Sequence, residues 1–247
     1  MKTAERHHLK HNEVADTLQD VFSRVEANRK MVLSLVLAVI VFGAVFGAWS
    51  YFRGQRNGKA SVLLGEALVV SEAQVVAPIA PAPGQTLPPP PRNTFPTERA
   101  KLEAAYPKFL AAAEAYPDTQ AGIAARYHAA ATLAALGRSA EAKERYAQVV
   151  ERDGRGLYGR MARLASAELN VLDKHYDPAI ASLRELSLDT KGDLPVDAIL
   201  IQLGQAYLAA GKKAEAQQTF QRIATEYAAS PYAADARKQL DALKGGV

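Results

Sequence analysis

The sequence predicts an all-α chain. One apolar helix of membrane-spanning length near the N-terminus leads into an α-solenoid of about 3–4 helix pairs closed by a C-terminal capping helix. Three observations carry that prediction. The run Gly137–Tyr146 (GRSAEAKERY) returns as Gly211–Phe220 (GKKAEAQQTF) after two periods of 37 residues. Met31–Phe52 contains no charged side chain in 22 residues. Alanine is abundant, and β-branched runs are few outside that apolar stretch, which favours helix over strand.

Composition narrows the function classes. Thirty Lys and Arg stand against 26 Asp and Glu, a formal net charge of +4. The two signs are interleaved, so the concentrated basic footprint of a nucleic-acid binder is missing and nucleic acid is not expected as a partner. Cysteine is absent. That removes disulfides, thiolate metal sites, a cysteine nucleophile and lipid attachment on cysteine.

Residues 1–30 read as a polar tail on the cytoplasmic side. Asn12 is placed to cap a short helix in which Val14, Leu18, Val21, Phe22 and Val25 line one face. The stripe suits a partner, the membrane surface or a passive pre-anchor helix. His7 and His11 stand at i and i+4, but no further ligand completes a metal site, so no metal or other cofactor is expected.

Residues 31–52 read as a transmembrane helix in contact with lipid. At 1.5 Å per residue the run spans about 33 Å, enough for a hydrocarbon core of about 30 Å. Arg29 and Lys30 close one end, Arg53 and Arg56 the other, and Trp49 and Tyr51 sit where an aromatic belt belongs. The long polar stretch before the run and its length argue for an uncleaved anchor over a signal peptide. Six Lys and Arg precede the span, against Arg53, Arg56 and Lys59 beyond it. That balance favours a cytoplasmic N-terminus, although the residues nearest the span are evenly matched. Gly43 and Gly47 occupy one helix face, spaced as in helices that pair closely, so a homodimer is open.

Residues 53–73 read as a membrane-proximal helix. Leu64, Gly65 and Leu68 on it reproduce the spacing of the first helix of a repeat. Residues 60–72 are therefore either half of a split first repeat or an extension of the membrane helix. Residues 74–96 read as a proline-rich loop or linker, with Pro88–Pro91 consecutive and disposed to polyproline II.

Residues 97–247 read as the repeat domain. In its clearest copy Leu200, Leu203, Gly204 and Tyr207 share one helix, Gly211 ends it, and Ala216 and Phe220 lie on a second helix. Small Gly204 and Ala216 suit close helix approach, while Tyr207 and Phe220 fill the space between pairs. The first copy places Ala130, Leu133, Ala142 and Tyr146 at matching offsets, and the middle copy Ala167, Ala179 and Leu183. Asn170 falls where the pattern expects Tyr or Leu, so either the helix turns to bring Leu169 or Leu172 inward or this copy packs less well. Asp177-Pro178 opens its second helix, with proline in the tolerated first turn. Ala105 and Phe109 form an upstream echo on a helix over Thr97–Tyr116. Tyr232, Ala236, Leu240 and Leu243 make the capping stripe.

Nothing in the chain reads as catalytic. His128 and His175 are single residues in or beside repeat helices, and Gly154–Arg160 is glycine-rich without nucleotide-binding spacing, so it reads as a turn.

The Leu-Gly-x2-Tyr, Ala, Phe, Pro order from Leu203 to Pro231 resembles the tetratricopeptide repeat, with a period of 37 in place of about 34. The resemblance implies a groove lined by first helices, and transferring those positions gives Tyr127, Met161, Leu164, Glu168, Ile201 and Gln205. These are mostly apolar and suit apolar or unfolded segments; the neighbouring pair or the capping helix filling this surface is the alternative. The whole layout, a polar tail, one span and a helical-repeat domain, resembles the YfgM-type inner-membrane proteins. That resemblance implies a bacterial inner-membrane protein with a periplasmic C-terminal domain. It also implies protein partners: the SecYEG translocon, periplasmic chaperones or exported chains. Tyr227–Ala236 also resembles the terminal repeats of BamD-like and Tol-Pal-associated coordinator proteins. A scaffold for outer-membrane assembly, Tol-Pal or cell division therefore stays open, as does a non-catalytic subunit of a membrane enzyme or transporter.

Overall fold

The computed structural model describes residues 28–77, 91, 93–190 and 192–245. The expected tail helix from Asn12, its apolar stripe and His7, His8 and His11 lie outside the described residues. The chain divides into two compact units, Met1–Gln55 and Arg56–Val247.

Helix α1 runs Arg29–Ser71 without interruption, so the sequence-expected boundary at residues 52 and 53 is not a break in helix. In the first unit its side chains are uncovered: Leu33, Leu37, Phe42 and Phe52 are each more than three-fifths exposed. Phe46 lies 6.2 Å from Phe42 and 5.8 Å from Trp49, and the Arg53 guanidinium sits 5.0 Å over the Trp49 ring. Gly43 and Gly47 have open space where a side chain would project.

In the second unit the end of α1 turns apolar residues onto the repeats. Leu63, Leu64, Ala67, Leu68 and Val70 share a cluster with Ala105, Phe109, Ala112 and Ala113. The segment 74–96 is bounded by two short parallel strands, β1 (Gln74–Val75) and β2 (Thr94–Phe95), which pair Gln74 with Thr94 and Val75 with Phe95.

Among the described residues eight helices follow. They are α2 (Glu98–Ala115), α3 (Gln120–Ala135), α4 (Ser139–Asp153), α5 (Leu157–Leu172), α6 (Tyr176–Leu188), α7 (Val196–Ala209), α8 (Lys213–Glu226) and α9 (Ala233–Gly245). From α2 onward each of the helices α2 to α9 packs on the next, as short connections between antiparallel helices require. Thr97 and Thr119 cap α2 and α3 by accepting from Ala100 N at 3.1 Å and Gly122 N at 3.0 Å.

The turn inside each pair is the same device three times. Gly137, Lys174 and Gly211 adopt φ of 78°, 61° and 74°, one period apart. The amide of the next residue reaches back to close the helix: Arg138 N to Leu133 O at 2.9 Å, His175 N to Asn170 O at 2.7 Å and Lys212 N to Tyr207 O at 2.8 Å. This bond satisfies carbonyls that a helix end leaves orphaned. Asn170 thus occupies the same backbone place as Leu133 and Tyr207. Its side chain accepts from Lys143 Nζ at 3.2 Å, and Lys143 also pairs with Asp173 at 2.7 Å. Leu169 takes the buried position, while Leu172 stays 75% exposed. The run Gly154–Arg160 is a turn only over its first residues, since Leu157 already opens α5.

The core lies between helices. Ala130, Leu133, Ala142 and Tyr146 are buried in one cluster; Ala167, Ala179, Leu183, Leu203, Gly204, Tyr207, Ala216 and Phe220 are buried in and around the next. Ala105 and Phe109 belong to the cluster nearest α1. Gly204 is a close approach between helices: a Cβ there would lie 2.4 Å from the Phe220 ring. α9 covers the far end through Ala233, Ala236 and Leu240.

Candidate protein-binding surface

The three first helices, α3, α5 and α7, touch one another in succession, while the second helices α4, α6 and α8 make no comparable contact with each other. The stack is therefore closer on the first-helix side, which makes that side the inner wall of a curved array.

The structure sorts the six sequence-expected groove residues into three kinds. Tyr127, Met161 and Leu164 are half-buried on α3 and α5, and Glu168 and Gln205 are exposed on α5 and α7. Ile201 is only 6% exposed, because it packs in the cluster that also holds Leu164, Val171 and Leu208. Five of the six are therefore at least partly exposed.

Around Tyr127 the surface becomes aromatic. Its ring centroid lies 5.6 Å from Tyr146, 5.8 Å from Tyr158 and 5.6 Å from His128, and His128 stacks on Phe109 at 5.2 Å. Burial, then the nearby Glu168 carboxylate, raises the Tyr127 phenol above its ordinary value. Burial also raises Tyr146, with Tyr127 and Glu168 adding to it. Burial lowers His128, opposed by Glu72, so its imidazole is held neutral. Glu168 accepts from Gln202 Nε2 at 2.7 Å.

The arginines of the first helices face other partners. Arg126, 8% exposed, donates to Gln148 Oε1 at 2.9 Å and Ala113 O at 3.2 Å. One period later Arg163 donates to Glu185 at 2.8 Å and Gly154 O at 2.9 Å. Arg160 is clasped by Asp189 at 2.9 Å and by Asp193. Burial and the neighbouring Arg152 and Arg145 lower the Arg126 guanidinium, which meets a neutral amide where Arg163 meets a carboxylate. Sequence reading passed over Tyr158, Gln202 and this arginine ladder. The ladder was legible, because Arg126 with Gln148 and Arg163 with Glu185 repeat at 37 residues. Tyr158 and Gln202 carry no periodic signal.

Among the described residues no group of three or more His, Asp or Glu side chains is placed to hold a metal. A groove of about 660 Å³ between α6 and α8, floored by Leu200, Leu203 and Tyr207, lies on the second-helix side.

Residues 124–154 and 198–230 match the tetratricopeptide repeat. No curated protein matches the chain. The fold is similar to a kinesin light chain-like protein of Podosopora anserina with nearly identical TPR-like repeats. Identity is 16% and the TM-score 0.51, over 58% of this chain and 77% of that one. It is also similar to a tetratricopeptide repeat protein from Parabacteroides merdae at 17% identity and a TM-score of 0.50, over 60% of this chain and 56% of that one. At such identities the likeness is one of fold, a fold that generally serves as a non-catalytic scaffold for binding proteins. The chain carries tetratricopeptide repeats and folds as their α-solenoid, behind one helix long and apolar enough to cross a membrane.

Proposed function

We propose that this protein is a membrane-anchored adaptor. Residues 31–52 hold it in the bacterial inner membrane with the N-terminus in the cytoplasm, and the repeats bind protein partners in the periplasm. The observation that carries the reading is the pairing of a repeat array with an uncovered, charge-free helical segment, in which leucines and phenylalanines stand more than half exposed. In water such a surface is costly, at roughly 25 cal/mol per Å² of apolar area, and a lipid core removes the cost. The contact face comprises Tyr127, Met161, Leu164, Glu168 and Gln205, which offers half-buried apolar side chains beside polar ones. The resemblance to YfgM-type proteins supports the SecYEG translocon, periplasmic chaperones or exported chains as the partners.

Site-specific photocrosslinking in intact membranes from Tyr127, Met161 and Leu164 tests this. Adducts with translocon subunits or exported chains are expected. A stable partner from another envelope complex, with no translocon adduct, would remove the translocon assignment and leave the scaffold. Protease protection in spheroplasts tests the topology: a repeat domain shielded from external protease overturns the periplasmic placement.

A further inference from the structure

On the inner wall Glu168 has no cationic partner among the described residues. Glu168 is exposed, and its one hydrogen bond comes from a neutral amide, Gln202 Nε2 at 2.7 Å. Gln202 Oε1 is buried with no donor at all. The Tyr127, Tyr146 and Tyr158 hydroxyls find no hydrogen-bond partner among the described residues, while their rings gather within 5.8 Å of Tyr127. Of these groups only Gln202 Oε1 is shut away from water, so it alone carries the cost of an unmade hydrogen bond.

Charge points the same way. The first helices hold three arginines, and all three are turned away: Arg126 onto Gln148 and the Ala113 carbonyl, Arg163 onto Glu185, Arg160 onto Asp189 and Asp193. What these helices offer in exchange is Glu168 and Asp197, and Asp197 is engaged by the Ser230 hydroxyl at 2.6 Å. Tyrosine faces attract cations through the ring quadrupole, and a carboxylate beside them adds a charge-assisted hydrogen bond.

We infer that Tyr127, Tyr158, Glu168 and Gln202 form a receptor for a lysine or arginine side chain carried by a protein segment, with Met161 and Leu164 taking that segment's apolar neighbours. This rests on the adaptor reading and names the chemistry its contact face selects. The ammonium or guanidinium supplies the charged donor that Glu168 lacks, and its stem lies along the Tyr127 and Tyr158 rings.

The test uses the full chain in detergent micelles with fluorescein-labelled nonapeptides. Each alternates leucine and serine around one central residue: Lys, Arg, norleucine or Glu. Lys and Arg peptides are expected to bind about tenfold tighter than the norleucine and Glu peptides by anisotropy. Glu168→Gln should erase that ratio and leave the thermal midpoint by circular dichroism unchanged. Tyr127→Phe should keep most of the ratio, because the ring remains. Equal binding of Lys and norleucine peptides, no binding of any peptide, or an undiminished ratio in Glu168→Gln overturns the inference. If crosslinks from Met161 and Leu164 in membranes persist in Glu168→Gln while the peptide ratio is absent, the adaptor reading stands and the cation receptor falls.

Discussion

At Lys174 a lysine does work that glycine does one period before and one period after. Its φ of 61° matches the 78° of Gly137 and the 74° of Gly211, and its amide donates to Val171 O at 3.0 Å just as theirs close their helices. A Cβ in the left-handed region meets the neighbouring carbonyl, at a cost of about 1–2 kcal/mol. Lys174→Gly removes that strain and adds some unfolded-state entropy, so a net gain of about 0.5–1 kcal/mol is expected in urea unfolding. The periodic glycines were legible in sequence because the turn needs positive φ; Lys174 was found at the repeat offset alone, because nothing in lysine's chemistry marks that conformation. His128 makes a second residue-scale prediction. Phe109 and Tyr127 pack against its ring, and Glu72 is the one carboxylate that acts on it. Its folded-state value is depressed, so the unfolded chain binds the proton more readily. Its contribution is therefore complete above about pH 6.5 and is lost as pH falls through that value. His128→Phe should flatten the fall of the thermal midpoint between pH 7 and 5.

Between helices, the decisive contact is Gly204 against Phe220. The Phe220 ring is fully buried, and a methyl group on residue 204 would come 2.4 Å from it. Gly204→Ala gains helix propensity on α7 but forces α7 and α8 apart, and overpacking of this kind costs about 1–3 kcal/mol. A net loss of about 1 kcal/mol or more in urea unfolding is expected, with Phe220→Leu in the same chain restoring part of it. The pairing of small and large residues was readable from spacing alone, since it follows from helical geometry. The extent of α1 stayed open between two readings. Apolar composition ends at Phe52, and Gly54, Asn57 and Gly58 have low helix propensity, yet the helix runs on to Ser71. Nor did sequence separate Ile201 from Tyr127 and Leu164. All three sit at one repeat position, and only the neighbouring side chains decide which of them is covered.

Within the second unit the array is covered by the end of α1 on one side and by α9 on the other. Deleting residues 231–247 uncovers the surface that Ala233, Ala236 and Leu240 shield. Loss of Leu240 burial alone removes about 2 kcal/mol, so the truncated chain should unfold at lower urea and elute as larger species in size-exclusion chromatography. Fold class, the apolar span and the packing residues were readable because each follows from a period or a composition. Tyr127, Tyr146 and Glu168 were reached singly at repeat positions, but their meeting with Tyr158 was not, because the cluster assembles from three helices and Tyr158 has no counterpart in the repeat. The paired strands β1 and β2 carry a last consequence. They hold Gln74 beside Thr94 and Val75 beside Phe95, with Val76 N donating to Phe95 O at 2.9 Å. Whatever is spliced between them meets a clasped neck and leaves the flanking helices alone. Doubling the length of such a closed excursion adds only about 0.6 kcal/mol of closure entropy. This neck is thus a place where a reporter domain can be inserted while the repeats keep their fold.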